Sequence, residues 1–159
     1  MAIQFGRQPF HHLFVPIVLP FVEGGFDVDE EALRRYLRRL TSDELVARGI
    51  GIVINSEAGE LVYLSRDEAR RNVEIAVEVC TQRVPVVAGV AALRPEAMIE
   101  LARDAKESGV DGLMLLPPMG AVDVSVGWNA ARYPEVWIDV ARDIDRAVDM
   151  PLVMHPVTN

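Results

Sequence analysis

A single cysteine and a single lysine occur among 159 residues, and each scarcity narrows the chemistry. Cys80 cannot form an internal disulfide. It shares a helix face with Val73, Ala76 and Val77, so a buried core thiol is expected, not a nucleophile, in a cytosolic protein. Lys106 falls near the C-terminal end of a helical pattern, where a cation favours the helix dipole and water is near. A catalytic amine needs burial or neighbouring positive charge to lower its pKa, and this setting offers neither.

Long apolar runs are also missing. The longest, LFVPIVLPFV, has ten residues and two prolines, too short to span a bilayer. The opening MAIQFGRQPFHH lacks the apolar centre of a signal peptide. No Gly-x-Gly-x-x-Gly or P-loop appears, so no nucleotide or other cofactor is expected. Basic charge is in deficit: the formal net charge is −8, against nucleic acid or an anionic membrane as partner. A small anionic substrate stays open if backbone N–H groups or an arginine make its site locally positive. His11 and His12 precede the first strand, away from any strand exit, and no metal site is expected there.

What is present is a globular balance, half hydrophobic and a quarter charged, in a chain long enough for one core. Five nearly continuous apolar runs read as parallel strands covered on both faces: 13–21, 50–54, 84–90, 110–116 and 151–155. Between them lie helices. Asp29 to Arg48 reads as one, with Leu33, Tyr36, Leu37 and Leu40 inward and Gly49 as its stop. Ser65 and Glu68 form a capping box for the next. Pro95 opens a third, with Met98, Ile99, Ala102 and Ala105 inward, ending at Gly109. The last spans about Pro134 to Val148, with Val136, Trp137, Val140 and Ile144 inward.

Strand–helix repetition gives an α/β fold with a parallel sheet. A five-stranded doubly wound sheet of the flavodoxin sort would be complete at this length. A (β/α)8 barrel needs about 250 residues.

Five segments in order favour the barrel. VPIVLPF, FDVDEEALRRYLRRL, INSEAGE, LVYLSRDEARRNVEIAVEVC and RVPVVAGVAALRPEAMIELARDAKESGVDGLMLLPP resemble the N-terminal half of the dihydrodipicolinate synthase / N-acetylneuraminate lyase family. The resemblance implies a TIM barrel, with residues 1–159 as the N-terminal part of one such domain and five βα-type units present. It also implies a small 2-keto acid such as pyruvate as partner, bound as a Schiff base to a lysine on the sixth strand. Carbon–carbon bond cleavage or condensation follows. The five strands should lie parallel in sequence order, with Pro20, Asn55–Glu60, Val90, Pro117–Met119 and His155 at one rim.

Residue by residue, INSEAGE sits where the family has Gly-Thr-Thr-Gly-Glu. Asn55, Ser56, Glu57, Ala58 and Gly59, with Met119 after the fourth strand, are therefore the candidate substrate-binding residues. A strand-to-helix turn leaves N–H groups free for a carboxylate. Gly59 and Glu60 match the family's glycine and glutamate, whereas Glu57 and Ala58 replace its two threonines. Met119 falls where the family's proton-relaying tyrosine belongs and cannot shuttle a proton. The loop around it, with Asp123, Ser125 and Trp128, is a candidate substrate wall. His155, at the exit of the fifth strand, is the candidate auxiliary acid or base. No complete catalytic set stands in these residues. A non-catalytic descendant used as a small-molecule binding module is the alternative. Open sheet edges on the first and fifth strands imply a homo-oligomer or edge-to-edge association.

Overall fold

The computed structural model describes residues 11–80, 82–117 and 132–155. Five strands, β1 (Leu13–Pro16), β2 (Ile50–Ile54), β3 (Val86–Val90), β4 (Gly112–Leu115) and β5 (Leu152–Met154), pair in parallel in the order β1-β2-β3-β4-β5. A flavodoxin-like sheet would put β1 between β2 and β3. The observed order is that of half a barrel.

Among the described residues five α-helices cover one face: α1 (Glu30–Leu40), α2 (Asp43–Ala47), α3 (Arg66–Cys80), α4 (Pro95–Ser108) and α5 (Glu135–Val148). The long helices pack in succession, α1 on α3, α3 on α4 and α4 on α5. Ile50, Ile52 and Ile54 share a core with Leu33, Leu37, Val73 and Ala76. Val86, Ala88, Val90, Leu113 and Leu115 extend it beneath Met98, Ala102 and Ile144. Burying each such Leu or Ile side chain contributes about 1.5–3 kcal/mol. The alternate residues Val53 and Val87, also buried, point to the opposite side, the inner face of the arc.

The strands are shorter than the apolar runs that announce them, because each run includes the residues leading in and out. Ile17 lies past β1 yet still donates to the Val53 carbonyl at 2.9 Å. The expectation of one helix from Asp29 to Arg48 is corrected: α1 and α2 are separate. Thr41 sends its N–H and its hydroxyl to the Leu37 carbonyl at 2.9 and 3.0 Å, and Ser42 turns extended at φ −62°, ψ 153°. Hydroxyl side chains compete in this way with helix continuation. Arg83 fixes the break, donating to the Thr41 carbonyl at 2.9 Å and to Asp43 at 2.5 Å. The helix starts and stops otherwise agree with the sequence. Asp29 caps α1 by accepting from the Ala32 N–H at 2.8 Å. Gly109 ends α4 at φ +91°, a conformation that favours glycine.

Cys80 is fully buried, and burial pushes its thiol up to about 12. Lys106 lies on α4 and donates to the Val148 carbonyl at 2.5 Å, tying α4 to the end of α5. Among the described residues no helix is long and apolar enough to cross a membrane.

Candidate active-site rim

At the end of β2 the alternation of the strand breaks. Ile54 points into the helix layer, so an extended Asn55 would face the inside of the arc. Instead Asn55 adopts a left-handed backbone, φ 53°, and its side chain also reaches the helices. Its amide donates to the Ala69 carbonyl of α3 at 2.7 Å and its oxygen faces the Asn72 amide at 3.4 Å. Both asparagines are buried, at 1 % and 2 % exposure.

Ser56 follows, buried, and its carbonyl accepts from the Gly59 N–H at 3.0 Å. Glu57–Gly59 form a short 3-10 turn. Ser56 stands at the cap position without capping, and its hydroxyl has no partner among the described residues. Glu57 and Ala58 are exposed, whereas Gly59 is buried. A second 3-10 turn, Leu61–Tyr63, leads to the capping box of α3. There the Ser65 N–H donates to Glu68 at 2.8 Å and the Glu68 N–H to the Ser65 hydroxyl at 3.3 Å.

Neighbouring strands clamp this turn from both sides. A Cβ on Gly59 would lie 2.9 Å from the Ile17 carbonyl oxygen, and one on Gly89 would overlap the Asn55 carbonyl. Glycine at both places lets the β1 exit and β3 touch the turn backbone directly.

The remaining rim residues lie toward the other edge. Leu116 donates to the Val90 carbonyl at 3.1 Å, Pro117 follows it, and the His155 N–H donates to the Leu115 carbonyl at 2.9 Å. His155 is exposed at the end of β5. The structure thus brings Asn55 to Gly59, Val90, Pro117 and His155 to the same end of the sheet, with the turn and His155 separated by β3 and β4. Met119, Asp123, Ser125 and Trp128 lie outside the described residues.

Sequence reasoning missed three features. Asn72 is a polar residue on the inward stripe Asn72, Ala76, Cys80, and that misplacement was its signal. An ion-pair cluster joins α3 to α4: Arg66 donates to Asp104 and Glu100, and Arg70 approaches Asp104 at 3.9 Å. The Arg66 guanidinium holds the Asp104 carboxyl below its ordinary range and is itself raised. Arg66 is thereby occupied by two carboxylates. The third feature is an apolar groove of 570 Å³ beside the turn, lined by Leu61, Leu64, Ala91, Leu93, Ala97 and Leu101. Among the described residues, no three His, Cys, Asp or Glu side chains gather as metal ligands.

Parallel strands in sequence order, with the turn after β2 at their C-terminal ends, define part of a (β/α)8 barrel of the kind that carries its chemistry on that rim. A profile of the Dihydrodipicolinate synthetase family matches residues 9–120, and the chain belongs to that family. The 4-hydroxy-tetrahydrodipicolinate synthase of Syntrophobacter fumaroxidans is 36% identical over 149 residues, covering 93% of this chain and 46% of the relative. That of Pelobacter propionicus is 38% identical over 149 residues, with the same coverage of 93% and 46%. The crystal structure of dihydrodipicolinate synthase from Aquifex aeolicus superposes with a TM-score of 0.74 at 25% identity, covering 93% of this chain and 45% of that one. The chain spans about half the length of the curated relatives it matches.

Proposed function

We propose that residues 1–159 are the N-terminal part of a single (β/α)8 barrel. In complete form it acts as a 2-keto-acid lyase or synthase, making or breaking a carbon–carbon bond through a Schiff base with a pyruvate-type substrate. One observation carries the reading: in a chain of this family, the turn after β2 stands at the rim with Gly59 buried against the Ile17 carbonyl, and Gly59–Glu60 resembles the family's Gly-Glu pair. The N–H groups of Glu57 and Ala58 receive the substrate carboxylate, those of Gly59 and Glu60 being bonded within the turn. Asn55, Ser56, Glu57, Ala58 and Gly59 shape that receptor. Met119 takes the place of the relay tyrosine, and His155 is the auxiliary proton carrier on the same rim. The imine-forming lysine comes from outside these residues, since Lys106 is held on α4 by the Val148 carbonyl. The protein works in the cytosol and associates with further copies.

A second reading is favoured by Glu57 and Ala58 in place of two threonines: a non-catalytic descendant that binds a small molecule on the same rim. Borohydride trapping with pyruvate separates the two. The complete gene product should form one stoichiometric adduct, on a lysine beyond Asn159, and the 159-residue chain should form none. Binding without trapping supports the second reading. Rapid, saturable labelling of Lys106 overturns the assignment.

A further inference from the structure

We infer that Asn55 and Asn72 are a positioning pair for the rim turn, holding the backbone of residues 56–59 in its anion-receiving shape without touching the substrate. The inference rests on the keto-acid reading above.

Glu57 and Ala58 supply no hydroxyl. That leaves backbone N–H groups and the Ser56 hydroxyl, unpartnered among the described residues, to receive the substrate carboxylate. Both depend on the direction of the turn backbone. That direction is set one residue earlier, where Asn55 turns left-handed at φ 53° while buried. Asparagine is among the few side chains that tolerate this conformation. Glycine tolerates it too, but nothing would anchor the bend. Here the anchor is the amide of Asn55 on the Ala69 carbonyl at 2.7 Å, with Asn72 at 3.4 Å from its oxygen. Aspartate could not donate to that carbonyl, and its buried charge would be costly.

The Asn72 side chain makes no other hydrogen bond among its described contacts, and it stands on a stripe otherwise filled by Ala76 and Cys80. A buried amide there has one evident use, to orient Asn55. Gly89 completes the arrangement, since the Asn55 carbonyl lies against the β3 backbone where any side chain would collide. The bend is therefore held by α3 on one side and by β3 on the other.

Steady-state kinetics of the complete gene product with pyruvate test the pair. Asn72→Ala removes the orienting amide from α3, and Asn55→Gly keeps the left-handed backbone but removes the anchor. Each variant should raise KM for pyruvate about tenfold, the effect of losing one hydrogen bond, with kcat within about twofold of the parent. A fall in kcat with KM unmoved overturns the inference, as does failure of both variants to fold, because the pair is then structural only. If the parent neither traps nor turns over any 2-keto acid, the keto-acid reading falls and takes this inference with it. A parent that turns over pyruvate while both variants keep its KM overturns the positioning role alone.

Discussion

Arg66 grips Asp104 with a two-bond fork, Nε to Oδ2 at 2.5 Å and Nη2 to Oδ1 at 2.9 Å, across 38 residues of sequence. The fork joins the first turn of α3, which follows the two 3-10 turns of the rim, to α4. Asp104 is 5 % exposed, so its carboxylate relies on this partner.

The acid limb of stability should therefore depend on Asp104. Its folded pKa lies below the ordinary 3.8, so its contribution is present above that value and is lost as pH falls through the folded pKa. Glu30 and Glu68 are shifted the same way, by Arg71 and Ser65. Asp111 is shifted upward by burial and acts in the opposite sense, adding stability as pH falls. Urea melts from pH 7 to pH 3 should show a declining midpoint, with a shallower decline in Asp104→Asn. An unchanged slope in that variant would count against the fork.

Gly89→Ala should destabilise the fold by about 1–3 kcal/mol, the usual cost of overpacking, because its methyl overlaps the Asn55 carbonyl. Chemical denaturation reads the loss. A neutral substitution would mean that the turn and β3 are not in contact.

Cys80 should resist alkylation. The thiolate is the reacting species, and a thiol pushed up to about 12 inside the core supplies almost none at pH 8. Iodoacetamide should label the native protein negligibly and the denatured protein fully, as counted by mass spectrometry.

Glu57→Thr combined with Ala58→Thr should tighten 2-keto-acid binding in the complete protein. Two like charges about 4 Å apart repel by ~1 kcal/mol in water, and by several times more where solvent is excluded. Isothermal titration with pyruvate gives the comparison. Unchanged or weaker affinity in the double variant would argue that the Glu57 carboxylate stays clear of the bound anion.

Much of the fold was legible because strands covered on both faces read as unbroken apolar runs, as in VPVVAGV around β3. The Ser65–Glu68 box was equally plain, being local. The break after Leu40 was not, since it depends on where the Thr41 hydroxyl bonds and on Arg83, 42 residues later, binding the Thr41 carbonyl. The rim turn could be placed from INSEAGE, but its shape could not. A left-handed Asn55 is decided by Ala69, Asn72 and Gly89, which meet it only when α3 and β3 are in place. The Arg66–Asp104 fork leaves no trace in a one-dimensional pattern, because each residue alone reads as helix surface.

The strand order β1-β2-β3-β4-β5 also bears on how the chain is made. Every described strand except β1 lays itself against the strand synthesised just before it, so none has to wait for a partner still to be translated. Assembly can proceed from the N-terminus as the nascent chain lengthens, each strand–helix unit docking on a surface already formed. The leading edge is then always the newest strand, and its unpaired backbone is shielded only when the next unit emerges from the ribosome.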